Sequence, residues 1–205
     1  VSVAPADDAA SLHTRVTDES RQLTGRGPAA YLDIEQLVRT AVEAGCDAVH
    51  PGYGFLAENP AFAAACEAAG LVFVGPPPAS LELFGDKVAA RALAARCEVP
   101  VLAGTSGPTD LAAATEFFRS LGDGAAVMVK ALAGGGGRGM RPVTRLEDLP
   151  EAMERCASEA RTAFGNGDVY VERLLTSARH VEVQIAGDGH GGVSHVWERE
   201  CSVQR

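Results

Sequence analysis

The sequence predicts a mixed fold, in which an α/β unit of the βαβ type precedes an α+β unit built from antiparallel hairpins. Two short apolar runs, at 46–50 and 71–74, flank a helical stretch, and this spacing is typical of a βαβ unit with a parallel sheet. An apolar run at 127–131 leads into consecutive glycines, which predicts a strand followed by a loop. Alternating apolar residues at 181–185 and a returning strand at 193–201 predict an antiparallel pair.

The first half of the chain is predicted to alternate helices with two short strands. Gly45 ends the first clear helix, and Asn59 with Pro60 forms the start signal of the next. The predicted elements are a loop with a short helix (1–30), a helix (31–44), a strand (46–50), a tight turn (51–55), a helix (59–70), a strand (71–74) and two helical pieces (79–84 and 86–96).

The second half is predicted to place hairpins around one long helix. Thr109 is interpreted as the cap of a helix that follows a loop through Pro108, and the Gly187-Asp188-Gly189 sequence is interpreted as a hairpin turn. The predicted elements are a helix (109–121), a strand (127–131), an extended segment from 142, an amphipathic helix (146–164), a strand (169–172) and a terminal hairpin (180–201).

The composition of the chain argues against several classes of function. The 205 residues suffice for one large or two small domains, and the net charge of −9 argues against a general nucleic-acid or anionic-membrane binder. No apolar run reaches transmembrane length. The five cysteines are odd in number and lack C-x-x-C spacing, which indicates small apolar thiols in a reducing compartment. A cytoplasmic protein is therefore expected.

The glycine run at 134–137, with Arg138 and Gly139 after it, is interpreted as a phosphate lid at the tip of a hairpin. Glycines can take positive φ, so their N–H groups can close around an anion, and Lys130 just upstream can bring a positive charge to it. A dinucleotide loop should open a helix, whereas Pro142 follows here, and no Gly-Lys-Ser/Thr completes a Walker A loop. A flexible surface turn is the less favoured alternative.

The two lysines, Lys87 and Lys130, stand against sixteen arginines. A chain that uses Arg for almost every positive charge and keeps Lys at two positions indicates sites that need a compact ammonium group. The alternative of a chance surface lysine is stronger for Lys87 than for Lys130, because Lys130 lies in an apolar strand.

Five blocks of the sequence resemble biotin carboxylases, in the family's order and across nearly the whole chain. They are H-P-G-Y-G-F-L-A-E-N at 50–59, G-D-K at 85–87, the lid block from Lys130 to Arg141, R-H-V-E-V-Q at 179–184 and the segment 199–205, which resembles E-R-x-C-S-x-Q-R. No single block is specific for this family, but the five blocks together are. Ala133 replaces the family's usual glycine and places a Cβ near the lid.

The resemblance implies an ATP-grasp fold and the biotin carboxylase domain of an acyl-CoA or pyruvate-type carboxylase. Residues 1–84 would form a partial pre-ATP-grasp domain that lacks its first strand, and residues 85–205 the N-terminal portion of the ATP-grasp domain with its lid. The implied reaction is ATP-dependent carboxylation of biotin with bicarbonate through carboxyphosphate. The implied partners are a biotin carrier domain and a carboxyltransferase component, in an oligomer of the full-length protein.

Carried over position by position, the resemblance places an ATP site on residues of both predicted domains. The implied ATP-binding residues are Lys87, Lys130, Gly135, Gly136, Gly137, Glu172, Arg173, Leu174, Leu175, His180 and Gln204. The segment 172–175 would line the adenine edge, and His180 and Gln204 the ribose side. Alone, Glu172 could equally be a solvated strand-end carboxylate, and His180 a surface histidine.

The same resemblance places other parts of the family's site beyond residue 205. The family's Mg²⁺ carboxylates and its bicarbonate and biotin contacts are expected there, so the chain is expected to be a piece of a longer protein and inactive by itself. Two other functions stay open. One is another ATP-grasp ligase, such as half of a carbamoyl-phosphate synthetase, and the other is a non-catalytic assembly segment with a degenerate nucleotide pocket.

Overall fold

The computed structural model describes residues 1–133 and 139–203, apart from the side chain of Phe164. The chain forms two units, Val1–Pro100 and Val101–Arg205. The first unit contains a 3₁₀ turn (Ala6–Asp8) and the following elements: β1 (Ser2–Pro5), α1 (Leu12–Val16), β2 (Ser20–Leu23), α2 (Gly27–Ala30), α3 (Ile34–Glu43), β3 (Ala48–Val49), α4 (Pro60–Ala68), β4 (Val72–Phe73), α5 (Pro78–Gly85) and α6 (Lys87–Arg96).

The predicted βαβ unit is confirmed in the first unit. Strands β3 and β4 pair in parallel, with Ala48 opposite Val72, and α4 connects them. Both strands are two residues long, shorter than the apolar runs that predicted them. Phe62 of α4 and Phe73 of β4 meet edge to face, with ring centroids 5.9 Å apart, in an apolar cluster that also buries Cys66. Burial of this cluster holds the unit together.

The short helix predicted within residues 1–30 is confirmed as α1, but the loops predicted on either side of it are wrong, because this segment contains a second parallel pair. Strand β1 runs beside β2, with Ser2 opposite Ser20 and Pro5 opposite Leu23. Only Ala4, Pro5 and Leu23 of these strands are buried, so the two strands carry no alternating apolar pattern that a sequence reading could detect.

Side-chain caps set the helix boundaries in this unit. The Asp33 carboxylate accepts a hydrogen bond from the N–H of Gln36, so α3 begins at Ile34 and not at the predicted residue 31. Asn59 caps α4 in the same way, as predicted. Gly45 and Gly70 follow α3 and α4 with φ of 66° and 75°, the left-handed conformation that commonly ends a helix.

The second unit is an antiparallel sheet with helices on one face, followed by a hairpin. Its elements are α7 (Leu111–Ser120), β5 (Val127–Ala131), β6 (Met140–Val143), a 3₁₀ turn (Leu146–Asp148), α8 (Leu149–Phe164), β7 (Val169–Arg173), β8 (Val181–Gly187) and β9 (Val193–Glu200). The sheet order is β6-β5-β7, and both pairings are antiparallel, which confirms the predicted hairpin on either side of the glycine run.

One face of this sheet carries the core of the unit. Val127, Val129 and Ala131 of β5 are buried with Val169 and Val171 of β7. Helix α8 packs against β5, β6 and β7, and α7 packs against α8 and β7. Because side chains alternate along a strand, the other face is left for Met128 and Lys130.

Segment 103–109, predicted as a loop, runs antiparallel along the outer edge of β7. The N–H of Thr105 donates to the Val171 carbonyl at 2.8 Å, and the N–H of Arg173 donates to the Ala103 carbonyl at 2.8 Å. The Thr105 hydroxyl accepts from the N–H of Val171 at 3.0 Å. The segment therefore covers an edge that would otherwise expose unpaired backbone groups.

The predicted cap at Thr109 is wrong by one residue. The Asp110 carboxylate accepts from the N–H of Ala113 at 2.8 Å, and α7 begins at Leu111. The Thr109 hydroxyl instead donates to Thr105 at 2.6 Å or to the Gly107 carbonyl at 2.7 Å. Both residue types are good caps, so the sequence alone does not separate them.

The terminal hairpin is confirmed. Strands β8 and β9 are antiparallel, with Val181 opposite Glu200, and the register shifts between Val183 and Ile185. The turn is centred on Asp188, whose carboxylate accepts from the N–H groups of His190 and Gly192 at 2.7 and 2.9 Å. Among the described residues, no helix is long and apolar enough to cross a membrane.

Candidate nucleotide-binding site

The face of the sheet opposite the helices brings two of the predicted site residues together. Lys130 lies directly across from Tyr170 in the β5–β7 pairing, and Glu172 lies two residues farther along β7 on the same face. The ammonium of Lys130 forms an ion pair with Oε1 of Glu172. The exposed fraction of the side chain is 24% for Lys130 and 9% for Glu172, so the pair is partly removed from water.

Tyr170 orients the other side of the Glu172 carboxylate. Its hydroxyl donates to Oε2 of Glu172 at 3.3 Å, and Tyr170 is itself only 4% exposed. Each carboxylate oxygen is thus engaged by a different side chain. A buried carboxylate with a cation and a hydroxyl donor has the partners that burial of its charge requires.

The carbonyl of Gly139, which follows the glycine run in sequence, accepts two hydrogen bonds. This carbonyl accepts from the N–H of Ala131 at 2.8 Å and from the buried thiol of Cys156 at 2.9 Å. Gly139 has φ of 67°, and a Cβ at this position would lie 2.9 Å from the Cβ of Ala131. The site therefore needs glycine at 139 for both conformation and space. The predicted phosphate-binding residues Gly135, Gly136 and Gly137 lie outside the described residues.

The predicted adenine-edge segment, residues 172–175, already uses two of its N–H groups inside the unit. The N–H of Arg173 donates to Ala103 and that of Leu174 donates to the Ala126 carbonyl, each at 2.8 Å. Leu175 is 49% exposed. These two N–H groups cannot also be free donors to a base, so a ligand at this edge would use carbonyl groups or the backbone beyond Leu174.

The remaining predicted site residues lie elsewhere in the chain. Lys87 is the first residue of α6 in the first unit, where the Asp86 carboxylate caps the helix by accepting from the N–H groups of Val88 and Ala89 at 2.8 and 3.1 Å. An anionic cap at this end suits the helix dipole, which a lysine opposes. Gln204 lies outside the described residues.

His180 stands just before β8, with its backbone tied to the end of the hairpin. Its N–H donates to the Ser202 hydroxyl at 2.8 Å, and its carbonyl accepts from the N–H of Cys201 at 2.7 Å. On the same hairpin the Arg199 guanidinium donates hydrogen bonds to Glu182 and lowers the pKa of that carboxyl. Burial raises the pKa of the Cys201 thiol, so this thiol is not activated as a nucleophile.

The described residues do not fit a bound Mg²⁺ ion. No group of three or more His, Cys, Asp or Glu side chains in residues 1–133 and 139–203 is placed to hold a metal. Mg²⁺ prefers several oxygen ligands in octahedral geometry.

Sequence reasoning missed two residues of this site, Tyr170 and Cys156. From the sequence, Tyr170 is an ordinary strand residue and Cys156 a small apolar thiol, whereas the structure shows that Tyr170 donates to Glu172 and that Sγ of Cys156 donates to the Gly139 carbonyl. Strand alternation gives a signal for Tyr170, because it places residues 170 and 172 on one face. No pattern in the sequence marks Cys156.

Comparison with known proteins agrees with this geometry. Residues 1–81 match the family described as "Biotin carboxylase, N-terminal domain", and residues 86–205 match "Carbamoyl-phosphate synthase L chain, ATP binding domain". Among curated relatives, the pyruvate carboxylase of Aspergillus niger is 48% identical over 209 residues, covering 100% of this chain and 17% of that protein. The chain thus spans about a sixth of the length of this relative.

Two solved structures share the fold over 99% of this chain. One is the biotin carboxylase domain dimer of the Hydrogenobacter thermophilus 2-oxoglutarate carboxylase, in complex with MgADP, ADP and bicarbonate, with a TM-score of 0.92 and 38% identity over 45% of that chain. The other is a biotin carboxylase complex with β,γ-ATP from Campylobacter jejuni, with a TM-score of 0.92 and 40% identity over 46% of that chain. The resemblance inferred from the sequence blocks is thereby confirmed, and the chain belongs to the biotin carboxylase family, of which it carries the N-terminal domain and the start of the ATP-binding domain.

Proposed function

We propose that this chain is the nucleotide-binding portion of an enzyme that uses ATP and bicarbonate to carboxylate biotin. The observation that carries the proposal is the partly buried Lys130–Glu172 pair, inside the residues that match an ATP-binding domain. The relatives named above support it, since one of their complexes contains MgADP and bicarbonate. Carboxyphosphate is the expected intermediate, formed by phosphoryl transfer from ATP to bicarbonate.

In this proposal the chain's own residues bind and position the nucleotide. Phosphoryl transfer depends mainly on positioning and on neutralising charge. The ammonium of Lys130 carries N–H donors that a phosphate oxygen can accept, and Lys87 supplies a second positive charge. The proposed ATP-binding residues are Lys87, Lys130, Gly135, Gly136, Gly137, Glu172, Arg173, Leu174, Leu175, His180 and Gln204.

The rest of the reaction needs groups that we place outside the described residues. When bound, Mg²⁺ would supply neutralisation of the phosphate charge, as in phosphoryl transfer in general. We further propose a biotin carrier domain and a carboxyltransferase component as partners, an oligomeric full-length protein and a cytoplasmic location. We keep the domain division at residues 84 and 85 as part of this proposal.

The test is release of ADP by the intact protein in the presence of ATP and Mg²⁺. The proposal expects ADP release to require bicarbonate and to rise when biotin is added. A release that requires ammonia or glutamine and ignores biotin would support the rival carbamoyl-phosphate reaction. Binding of ATP without any turnover under all of these conditions would support the non-catalytic assembly role.

A further inference from the structure

We propose that Tyr170 and Glu172 are positioning residues that hold the ammonium of Lys130 in place for a nucleotide phosphate. This inference rests on the proposed function and deepens it. It assigns to Glu172 a side-chain role, distinct from the backbone contact that a residue at an adenine edge would make, and it adds Tyr170, which no sequence motif singled out.

The geometry forms a chain of three contacts on one face of the sheet. The Tyr170 hydroxyl donates to Oε2 of Glu172 at 3.3 Å, and Oε1 of Glu172 is paired with the ammonium of Lys130. Lys130 and Tyr170 are opposite each other in the strand register, so the three side chains are neighbours whose backbone positions are fixed by the same pairing. The two strands hold the group as a rigid unit.

Burial explains why this chain of contacts matters for Lys130. A lysine ammonium is a point charge at the end of a flexible stem, so its position needs an anchor. Glu172 is 7% exposed and Tyr170 is 4% exposed, so water has little access to the carboxylate that provides the anchor. An ammonium has three donors, and pairing one with Glu172 leaves two for phosphate oxygens. The ion pair can therefore orient the ammonium of Lys130 and still leave N–H donors for a phosphate.

The experiment measures the affinity of the intact protein for ATP and for adenosine by calorimetry. Glu172→Gln keeps the size of the side chain and removes its charge, and we expect it to weaken ATP binding by about tenfold, the effect of losing one charge-assisted contact. Adenosine lacks phosphates, so its affinity should stay within about twofold of the wild type, which is within a few tenths of a kcal/mol.

Tyr170→Phe removes the hydrogen bond from Tyr170 to Glu172 and keeps the buried ring. It should weaken ATP binding by about threefold, because the lost hydrogen bond is long, at 3.3 Å, and acts on Lys130 only through the carboxylate. In the Glu172→Gln background the same change should have no further effect, because Tyr170 acts through the carboxylate. In a Lys130→Ala background neither substitution should change the affinity for ATP any further. Tyr170→Phe also carries the test if Glu172→Gln does not fold.

Glu151→Gln is the matched control. It breaks an ion pair of 2.6 Å with Arg155, one turn along α8, where both side chains are more than 60% exposed. ATP affinity should be unchanged in this variant. Equal or tighter ATP binding by Glu172→Gln would overturn the inference, as would a parallel loss of adenosine affinity or additive effects in the double variant. If the wild type does not bind ATP, the proposed function falls and this inference falls with it.

Discussion

Gly139, the first described residue after the glycine run, has a backbone conformation that other residues rarely adopt. Its φ is 67°, and an added Cβ would lie 2.9 Å from the Cβ of Ala131. Gly122 offers a comparison, because its φ is 83° but nothing lies within 4 Å of an added Cβ. The two positions share the backbone conformation and differ in the space around it.

We therefore expect Gly139→Ala to destabilise the protein more than Gly122→Ala. Each substitution should lower the free energy of unfolding by about 1 kcal/mol or more, because it places an L-residue at positive φ. Gly139→Ala adds a steric contribution on the order of 1–3 kcal/mol from overpacking. The measurement is denaturant unfolding of the intact protein and both variants. Equal destabilisation would show that the contact with Ala131 is relieved at no cost.

Tyr31 and Asp8 form a partly buried contact in the first unit. The Tyr31 hydroxyl donates to Asp8 at 2.5 Å, and the Tyr31 ring lies 5.4 Å from the ring of Phe55 in the turn at 51–55. Burial, together with the hydrogen bond to Asp8, raises the pKa of Tyr31 from 10.0 to about 12. Hydrogen bonds from Ser11 and Tyr31 lower the pKa of Asp8.

These shifts predict how stability depends on pH. The folded protein holds the Tyr31 proton more tightly than the unfolded chain does. The contribution of Tyr31 to the free energy of unfolding is therefore present below pH 10.0 and is lost as the pH rises to about 12. Asp8 has the opposite pH dependence, because its contribution to the free energy of unfolding is lost as the pH falls through its lowered pKa.

The measurement is the unfolding free energy of wild type and Tyr31→Phe across the alkaline range. The difference between the two proteins should shrink as the pH rises from 10.0 towards 12. A difference that does not change with pH over this range would mean that the Tyr31 proton is not held by the fold.

At the scale of elements, segment 103–109 serves as an additional edge of the sheet. Thr105 makes the decisive contact, because its hydroxyl accepts from the N–H of Val171, a residue that is fully buried. The neighbouring residues of β7 carry the Lys130 site. Loss of this edge contact would therefore loosen the strand that positions Tyr170 and Glu172.

Thr105→Val is expected to destabilise the protein by about 1–3 kcal/mol, because it keeps the shape of the side chain and leaves the Val171 N–H without its acceptor. Thr162→Val is the control, since the Thr162 hydroxyl only donates to the Ser158 carbonyl on an exposed part of α8. Hydrogen exchange of the Val171 amide should accelerate in Thr105→Val alone. Unchanged exchange in that variant would contradict the assignment of segment 103–109 as a structural edge.

Elements with strong local signals could be predicted from the sequence, and those held mainly by backbone pairing could not. The caps at Asn59 and the glycines after α3 and α4 act within a few residues, so the sequence shows them directly. Strands β1 and β2 bury few side chains, and segment 103–109 pairs with a strand more than 60 residues away. Such contacts leave no periodic pattern.

At the scale of the whole molecule, the sequence blocks gave the family but not the contacts inside the site. The sequence indicates Lys130 by its place in an apolar strand before the glycines, and Glu172 only by the resemblance, and the structure shows that they form one ion pair. The role of Tyr170 depends on strand register, which a single sequence does not define.

The division of the chain at residue 84 stays a prediction. The family matches end at 81 and resume at 86, whereas the structural units divide after Pro100 because α6 packs against α5. Residues 86–100 therefore belong to the ATP-binding family by sequence and to the first unit by packing.

In the proposed function, Lys130 contacts the phosphates of ATP. The most direct test is the affinity of the intact protein for ATP and for adenosine, measured for wild type and Lys130→Ala. We expect Lys130→Ala to lose on the order of 1.5–3 kcal/mol of ATP binding, the range for a hydrogen bond to a charged group, and to keep its affinity for adenosine. Lys130→Arg should restore little, because the planar guanidinium does not reproduce a compact ammonium. ATP affinity equal to that of the wild type in Lys130→Ala would contradict the account.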